Sequence, residues 1–136
     1  MIGRLRARAR GEAGAAVVEF VMISALVMGL LLAVLQVAVY VHVRNVVAAS
    51  AQEGARYAAN ADVDSAAGAA RTLDIVRNSL GGSTADGLVC GSAEELDSSG
   101  LVLVVVECTG AVPALFGAMG DLLPVNATGR AIKEGQ

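Results

Sequence analysis

The chain has 136 residues, of which 55% are hydrophobic, 3% aromatic and 17% charged, and its mean hydropathy is +0.62. A soluble domain carries about 45–50% apolar and about 25% charged residues, so the apolar excess must be concentrated in one stretch. This length fits one small domain plus a membrane segment, and it excludes a two-domain soluble enzyme.

Charge is distributed unevenly along the chain. Residues 1–14 carry four arginines against one acid, a net charge of +3, whereas residues 15–43 carry only Glu19. From Arg44 onward, six bases face eleven acids, a net charge of −5. A basic start, an uncharged middle and an acidic remainder are typical of an oriented membrane protein. A nucleic-acid binder would spread its bases over the folded part, so the pattern predicts no nucleic-acid partner.

Residues 20–43 form the longest uncharged stretch of the chain. A helix of 24 residues spans roughly 36 Å, enough to cross a hydrocarbon core of about 30 Å. A secretory signal has a shorter apolar core of about 7–15 residues, so a retained membrane helix is favoured over a cleaved signal. Four arginines precede this stretch and one basic residue lies in the ten that follow it. The N terminus is therefore predicted to be cytoplasmic and the bulk of the chain extracytoplasmic.

Residues 45–60 contain no proline and are rich in alanine, which predicts that the helix continues beyond the membrane. One face of this amphipathic helix is polar: Asn45, Gln52, Glu53, Arg56 and Asn60. The other face carries the apolar residues Val47, Ala48, Ala51, Ala55, Ala58 and Ala59. Gly54 costs about 1 kcal/mol relative to alanine in a helix interior, so it indicates either a close helix approach or a mild bend.

Asp62 and Asp64 predict a break and a cap, followed by a second helix over residues 65–80 that stops at Gly81. The stripe predicted to be buried on this helix consists of Ala66, Ala69, Ala70, Leu73, Val76 and Leu80. Residues 81–100, rich in Gly, Ser, Asp and Glu, predict a loop with a short strand at 88–90. The β-branched run 101–106 predicts the central strand, and 125–132 predicts a weaker last strand.

Cys90 and Cys108 are the only cysteines, 18 positions apart, and both lie in the predicted extracytoplasmic part. No CxxC motif is present, and the single histidine, His42, is distant in sequence, so the spacing does not indicate a metal site. In an oxidising compartment a disulfide between the 88–90 strand and the central strand is favoured, with a stabilisation of about 3 kcal/mol. Two small buried thiols that stay reduced are the alternative.

Motifs of catalysis and cofactor binding are absent from the sequence. There is no GxSxG, HExxH or P-loop, and His42 lies at the membrane boundary. The sequence therefore predicts no enzyme, no cofactor and no metal centre. Glu94, Glu95 and Asp97 could coordinate a cation, but acidic residues in a Gly/Ser loop are expected to be solvated.

Glu19 is the one carboxylate at the edge of the apolar stretch. Moving a carboxylate towards the bilayer centre costs on the order of 2.5–3.5 kcal/mol, so its position calls for an explanation. A headgroup-level location is one explanation. The other comes from the preceding residues, in which Gly14 lies immediately before Ala15 and Glu19 is the fifth residue after that glycine.

This arrangement resembles the type IV pilins, whose basic leader ends in a glycine, is removed by a membrane prepilin peptidase, and leaves glutamate as the fifth mature residue. Cleavage after Gly14 satisfies both conditions, whereas cleavage after Gly11 would place Ala16 fifth. The segment AASAQEGARYAA at 48–59 is similar to the A-x-x-A-x-E-G-A-R-Y-A-A segment of TadE-like pseudopilins, the minor pilins of the tight adherence (Flp pilus) system. Its central residues are Glu53, Gly54, Ala55, Arg56 and Tyr57. Many members have a proline within the apolar run, and this chain has none.

The resemblance implies a processing site at Gly14–Ala15 and an assembly role for Glu19 and Phe20. It implies as partners a prepilin peptidase, related minor pilins and the major Flp pilin, in addition to membrane lipid. An unprocessed single-pass membrane protein with a small partner-binding domain is the alternative from another class.

The sequence as a whole predicts an α+β fold with a long N-terminal helix of about 45 residues, a second helix and a small antiparallel sheet. The predicted organisation is a leader at 1–14, a transmembrane helix at 15–43, an extracytoplasmic helical region at 44–80 and a strand-rich head at 81–136. The predicted location is a bacterial membrane crossed once, with incorporation in a pilus as a further expectation.

Overall fold

A computed structural model describes residues 2–113 and 122–135, and it describes side chains over 14–111 and 123–135. Three helices are followed by three strands: α1 Ile2–Ala59, α2 Ala67–Leu80, α3 Gly82–Asp86, β1 Leu88–Leu96, β2 Val102–Pro113 and β3 Leu122–Ile132. The predicted α+β class, with a long apolar N-terminal helix and an antiparallel sheet, is confirmed.

Two compact units divide the chain between residues 37 and 38. The first consists of helix α1 up to residue 37, where apolar side chains such as Phe20 (71% exposed) and Leu26 (73% exposed) face outwards. From Val17 to Val37 a helix measures about 32 Å along its axis, close to the thickness of a hydrocarbon core. By length and composition, this helix could span a membrane.

The second unit, residues 38–136, is called the head below. Its sheet has the order β1-β2-β3 and both pairings are antiparallel. Strands β1 and β2 are joined by a tight turn, in which the Asp97 amide donates to the Leu101 carbonyl at 2.8 Å and Gly100 adopts a φ of 83°. A left-handed φ of this kind favours glycine because no Cβ is present to clash.

Small and β-branched side chains from the helices and one sheet face form the core of the head. The buried members are Val43, Val47, Ala51, Ala55, Val76, Ala85, Leu88, Val106, Cys108, Val125 and Ala127. Alternation along the strands directs the strand members of this set inwards, because side chains i and i+2 share one face. The predicted apolar face of α1 is therefore buried here, except for Ala48, which is exposed.

Helices α1 and α2 touch at their backbones. A Cβ added to Gly54 would lie 2.0 Å from the Thr72 hydroxyl oxygen and 2.6 Å from the Gly68 carbonyl oxygen. Thr72 is fully buried and donates its hydroxyl to the Gly68 and Ser50 carbonyls at 2.9 and 3.3 Å. Of the two explanations predicted for Gly54, close helix approach is the one observed.

This close contact also corrects the stripe predicted on α2. Gly68, Thr72 and Val76 are buried, whereas Ala66 and Ala70 are exposed. The helix is rotated relative to the prediction because its smallest residues meet α1. Helix α2 begins at Ala67 and not at residue 65, since the Asp64 carboxylate accepts the Ala66 amide at 2.9 Å in a local turn.

The predicted loop at 81–100 is wrong over most of its length. Residues Gly82–Asp86 form helix α3, and β1 extends to Leu96 instead of ending at residue 90. Strands β2 and β3 are likewise longer than predicted. Pairing with the strongly β-forming centre of β2 supplies backbone hydrogen bonds that override the weak strand propensity of Gly91, Ser92 and the glutamates.

Candidate functional site

The predicted processing residues lie on helix α1 in the first unit. Gly14, Ala15, Glu19 and Phe20 are all exposed. Ala15 and Glu19 are four residues apart, so one helical turn separates them on the same face. A Cβ at Gly14 would meet no atom within 4 Å. The glycine at this position is therefore not required by the packing of the chain itself.

The segment 53–57 is divided between the core and the surface of the head. Gly54 and Ala55 are buried, and their small size allows the contact with α2. Glu53, Arg56 and Tyr57 are exposed, although the Tyr57 ring carries the Arg71 guanidinium 5.6 Å from its centroid. A cation over an aromatic face at an exposed site contributes about 0.5–1 kcal/mol. Gly54 and Ala55 are thus structural, whereas the side chains of Glu53 and Arg56 lie at the surface of the head.

Tyr40 is held within the head although it continues the apolar stretch of the sequence. It lies within the region predicted as transmembrane, and its hydroxyl donates to the Pro124 carbonyl at 2.9 Å. Val43, one turn later, is buried in the head core. Residues 38–43 therefore belong to the packed head although they continue the uncharged stretch.

The two cysteines are directly opposite each other in the β1–β2 ladder. Their Cα atoms are 4.1 Å apart and their Sγ atoms 2.01 Å apart, at disulfide-bonding distance. Cys108 is fully buried and Cys90 is half-buried. This geometry fits the predicted disulfide between the first strand and the central one.

A covalent bond between Cys90 and Cys108 has a direct test. Protein extracted without reductant is expected to resist alkylation at both thiols, and reduction under denaturing conditions should expose both. Replacing both by serine should lower the free energy of unfolding of the head by about 3 kcal/mol or less. The reason is that a cross-link between residues 18 positions apart restricts the unfolded chain by about this amount. Thermal unfolding of the variant against the unaltered chain measures this. Two thiols that react at once in the untreated extract would contradict the bond.

The acidic turn between β1 and β2 is organised by short local contacts. The Ser99 hydroxyl donates to Asp97 at 2.9 Å, and this hydrogen bond, with a further one from the Ser98 backbone, lowers the pKa of the Asp97 carboxyl. The Glu94 carboxylate accepts the Ser65 hydroxyl. Over residues 2–113 and 122–135, no three His, Cys, Asp or Glu side chains gather in a way that would hold a metal ion.

Several contacts that organise the head were not predicted from the sequence. The side-chain amide of Gln52 forms two hydrogen bonds with the backbone of Arg130. Its NH2 group donates to the Arg130 carbonyl at 2.7 Å, and its oxygen accepts from the Arg130 N–H at 3.1 Å. A Cβ at Gly129 would lie 2.2 Å from the Ala51 carbonyl oxygen, because β3 packs directly against the backbone of helix α1 at this point. A glycine inside a predicted strand is the signal that could have identified this contact.

Lys133 makes a further set of contacts that was not predicted from the sequence. Its ammonium donates to the carbonyls of Ala58 and Val63 at 2.9 and 2.7 Å and to the Ser65 hydroxyl at 3.2 Å. The Ala58 carbonyl belongs to the last turn of α1, where the helix dipole favours a positive charge. Lys133 thereby fixes the end of α1, the following turn and the end of β3 to one another.

These features define a class: an α+β protein with a small three-stranded head and an apolar N-terminal helix long enough to span a membrane. Within this class, the family model described as TadE-like protein matches residues 14–56. The match begins at Gly14, runs through the apolar helix and ends in the 53–57 segment, and it confirms the resemblance predicted from the sequence. No curated protein and no solved structure gives a significant match.

Proposed function

We propose that the chain is a minor pilin or pseudopilin that takes part in assembly or initiation of a Flp-type pilus after cleavage of its leader. The single observation that carries the proposal is the content of the matched segment 14–56, which holds a glycine–alanine junction, a glutamate five residues after the glycine and the apolar helix. The reaction at the junction belongs to a prepilin peptidase, and the chain itself has no enzymatic role.

The charge pattern supports a defined topology. Four arginines before the apolar helix favour a cytoplasmic N terminus, with the head on the extracytoplasmic side. Membrane lipid surrounds the exposed apolar side chains of the first unit until assembly. Cleavage after Gly14 removes all four arginines, which frees the helix to leave the lipid.

Glu19 then has a partner in a bundle of parallel helices. Each mature subunit begins with the positively charged amine of Ala15, and the Glu19 carboxylate of a neighbour can compensate it. Ion pairs buried in an apolar environment need such compensation, because an unpaired buried charge is strongly unfavourable. Related minor pilins and the major Flp pilin are the partners that supply these neighbouring helices.

Substituting Gly14 tests the processing step directly. Gly14→Asp is expected to leave the full-length precursor in the membrane, because the peptidase must accommodate a backbone without a side chain at the cut. The chain itself has open space at this position, so the variant should still fold and insert. Mass spectrometry of protein from the native membrane reads the result as a terminus at Met1 instead of Ala15.

Gly29→Asp serves as the charge-matched control, since Gly29 also has open space around it and lies on the same helix. If the control inserts, it should be trimmed to Ala15 as the unaltered chain is, and Gly29→Ala covers the case in which the added charge prevents insertion. Normal trimming of Gly14→Asp would mean that cleavage does not depend on Gly14, and it would weaken the pilin assignment. An intact Met1 in the unaltered chain would favour the alternative of an unprocessed single-pass protein that binds a partner through its head.

A further inference from the structure

The two edges of the sheet in the head differ in how far other elements cover them. Along β3, helix α1 covers the edge: Gln52 pairs with both backbone groups of Arg130, and the Glu134 amide donates to the Ala59 carbonyl at 2.8 Å. Strand β1 forms the opposite edge. Its residues 93–96 are all exposed, with Leu96 77% exposed.

The ladder defines which backbone groups of β1 point away from the sheet. Hydrogen bonds from Ala111 to Gly87 (3.3 Å) and from Asp97 to Leu101 (2.8 Å) show that odd-numbered residues of β1 are bonded to β2. Even-numbered residues therefore direct their N–H and C=O groups outwards, which fits the short Cα–Cα distance of 4.1 Å at Cys90–Cys108. Within the described part of the chain, the outward backbone groups of Cys90, Ser92 and Glu94 have no hydrogen-bond partner.

A depression of about 240 Å³ lies beside this edge, across β1 and β2. Gly91, Ala93 and Val105 belong to its apolar lining, and the carboxylates of Glu95 and Glu107 flank it along the strands. All but Val105 are exposed. The small residues of β1 leave room on the outer face for a long side chain from an adjacent strand.

The negative charges beside the depression favour a positively charged occupant. A lysine or arginine side chain can lay its methylene stem over Gly91 and Ala93 and bring its charged end to Glu95 or Glu107. A second copy of this chain is a poor occupant, because the region from Arg44 onward carries six bases against eleven acids.

We propose that β1 is a docking edge for an extended, basic segment of a different protein subunit, which adds a fourth strand to the sheet. Backbone hydrogen bonds at Cys90, Ser92 and Glu94 hold the segment, and a Lys or Arg side chain in the depression gives the selectivity. This deepens the assembly role proposed above, since it gives the chemistry by which a neighbouring subunit is recognised.

A fluorescent peptide of about ten residues, in which lysine alternates with threonine, is the probe. Its binding to the purified full-length chain in uncharged detergent is followed by fluorescence anisotropy, beside the same peptide with glutamate in place of lysine. We expect the lysine peptide to bind at least tenfold more tightly. Equal binding of the two peptides, or no binding of the lysine peptide, would overturn the proposal.

Gly91→Val separates docking from general electrostatic attraction. A Cβ at Gly91 meets nothing within 4 Å, and valine favours strands, so the head should keep its thermal midpoint. The larger side chain fills the depression without altering any charge, and binding of the lysine peptide should fall at least tenfold. Binding that survives this change at full strength would show that only net charge attracts the peptide.

Charge reversal at two exposed glutamates completes the test. Glu107→Lys should weaken binding at least tenfold, whereas Glu53→Lys on helix α1, with the same change of net charge, should alter it less than twofold. Equal effects of the two reversals would exclude a local site. The assay does not depend on cleavage at Gly14, so its failure is distinguishable from failure of the processing hypothesis.

Discussion

Gly129→Ala is expected to destabilise the head severely. The added Cβ would lie 2.2 Å from the carbonyl oxygen of Ala51, 2.3 Å from its carbonyl carbon and 2.5 Å from the Gln52 amide nitrogen. These atoms belong to the backbone of helix α1 and cannot rotate away as a side chain would. We expect a loss of about 3 kcal/mol in the free energy of unfolding, the upper end of the usual cost of overpacking. For a unit of this size, the thermal midpoint then falls by more than about 10 °C.

Gly91→Ala is the matched control. Both glycines lie in strands of the same sheet, but Gly91 has open space where a Cβ would be added. Alanine at this position should leave the stability unchanged or raise it slightly, because glycine in a strand interior carries an entropic cost. If thermal unfolding found the two variants equally stable, the contact between β3 and the backbone of α1 would not be what holds these elements together.

Glu19→Val is expected to abolish or strongly reduce pilus assembly while leaving membrane insertion unchanged. The substitution removes a charge from the edge of the apolar helix, so insertion is not impeded. In a bundle of processed subunits, however, the amine of Ala15 would then lie without a carboxylate, at a cost of about 3–5 kcal/mol. Pilus counts and co-purification with partner pilins, at matched protein level, measure the effect.

Glu19→Asp should give an intermediate phenotype, since it keeps the charge on a side chain one methylene shorter. Val18→Ala is a control for the loss of packing alone, because Val18 is exposed at the neighbouring position and alanine removes apolar bulk without altering any charge, so piliation should stay normal. Normal piliation and unchanged partner binding in Glu19→Val would mean that Glu19 is only a headgroup-level residue. The single-pass alternative would then be preferred.

Features that depend on local pattern can be predicted from the sequence of this chain. The uncharged stretch 20–43 predicts an apolar helix from composition alone, and the β-branched run at 101–106 predicts the central strand wherever it packs. The junction at Gly14 and the 53–57 segment carry the family resemblance in the same way, because they are patterns of residue type and spacing. Gly54 stands out in the sequence because a glycine inside a helix is costly, and the close approach of α2 accounts for it.

In contrast, long-range packing sets which elements the weaker segments adopt and which faces they bury. Strand β1 contains glycine, serine and glutamates that have little strand propensity, and it extends to Leu96 because β2 offers it a complete ladder. Helix α2 buries Gly68 and Thr72 instead of Ala66 and Ala70 because a backbone contact with Gly54 sets its rotation. The hydrogen bonds between Gln52 and Arg130 join residues 78 positions apart. Contacts of this kind depend on the summed packing of distant segments, which no local pattern encodes.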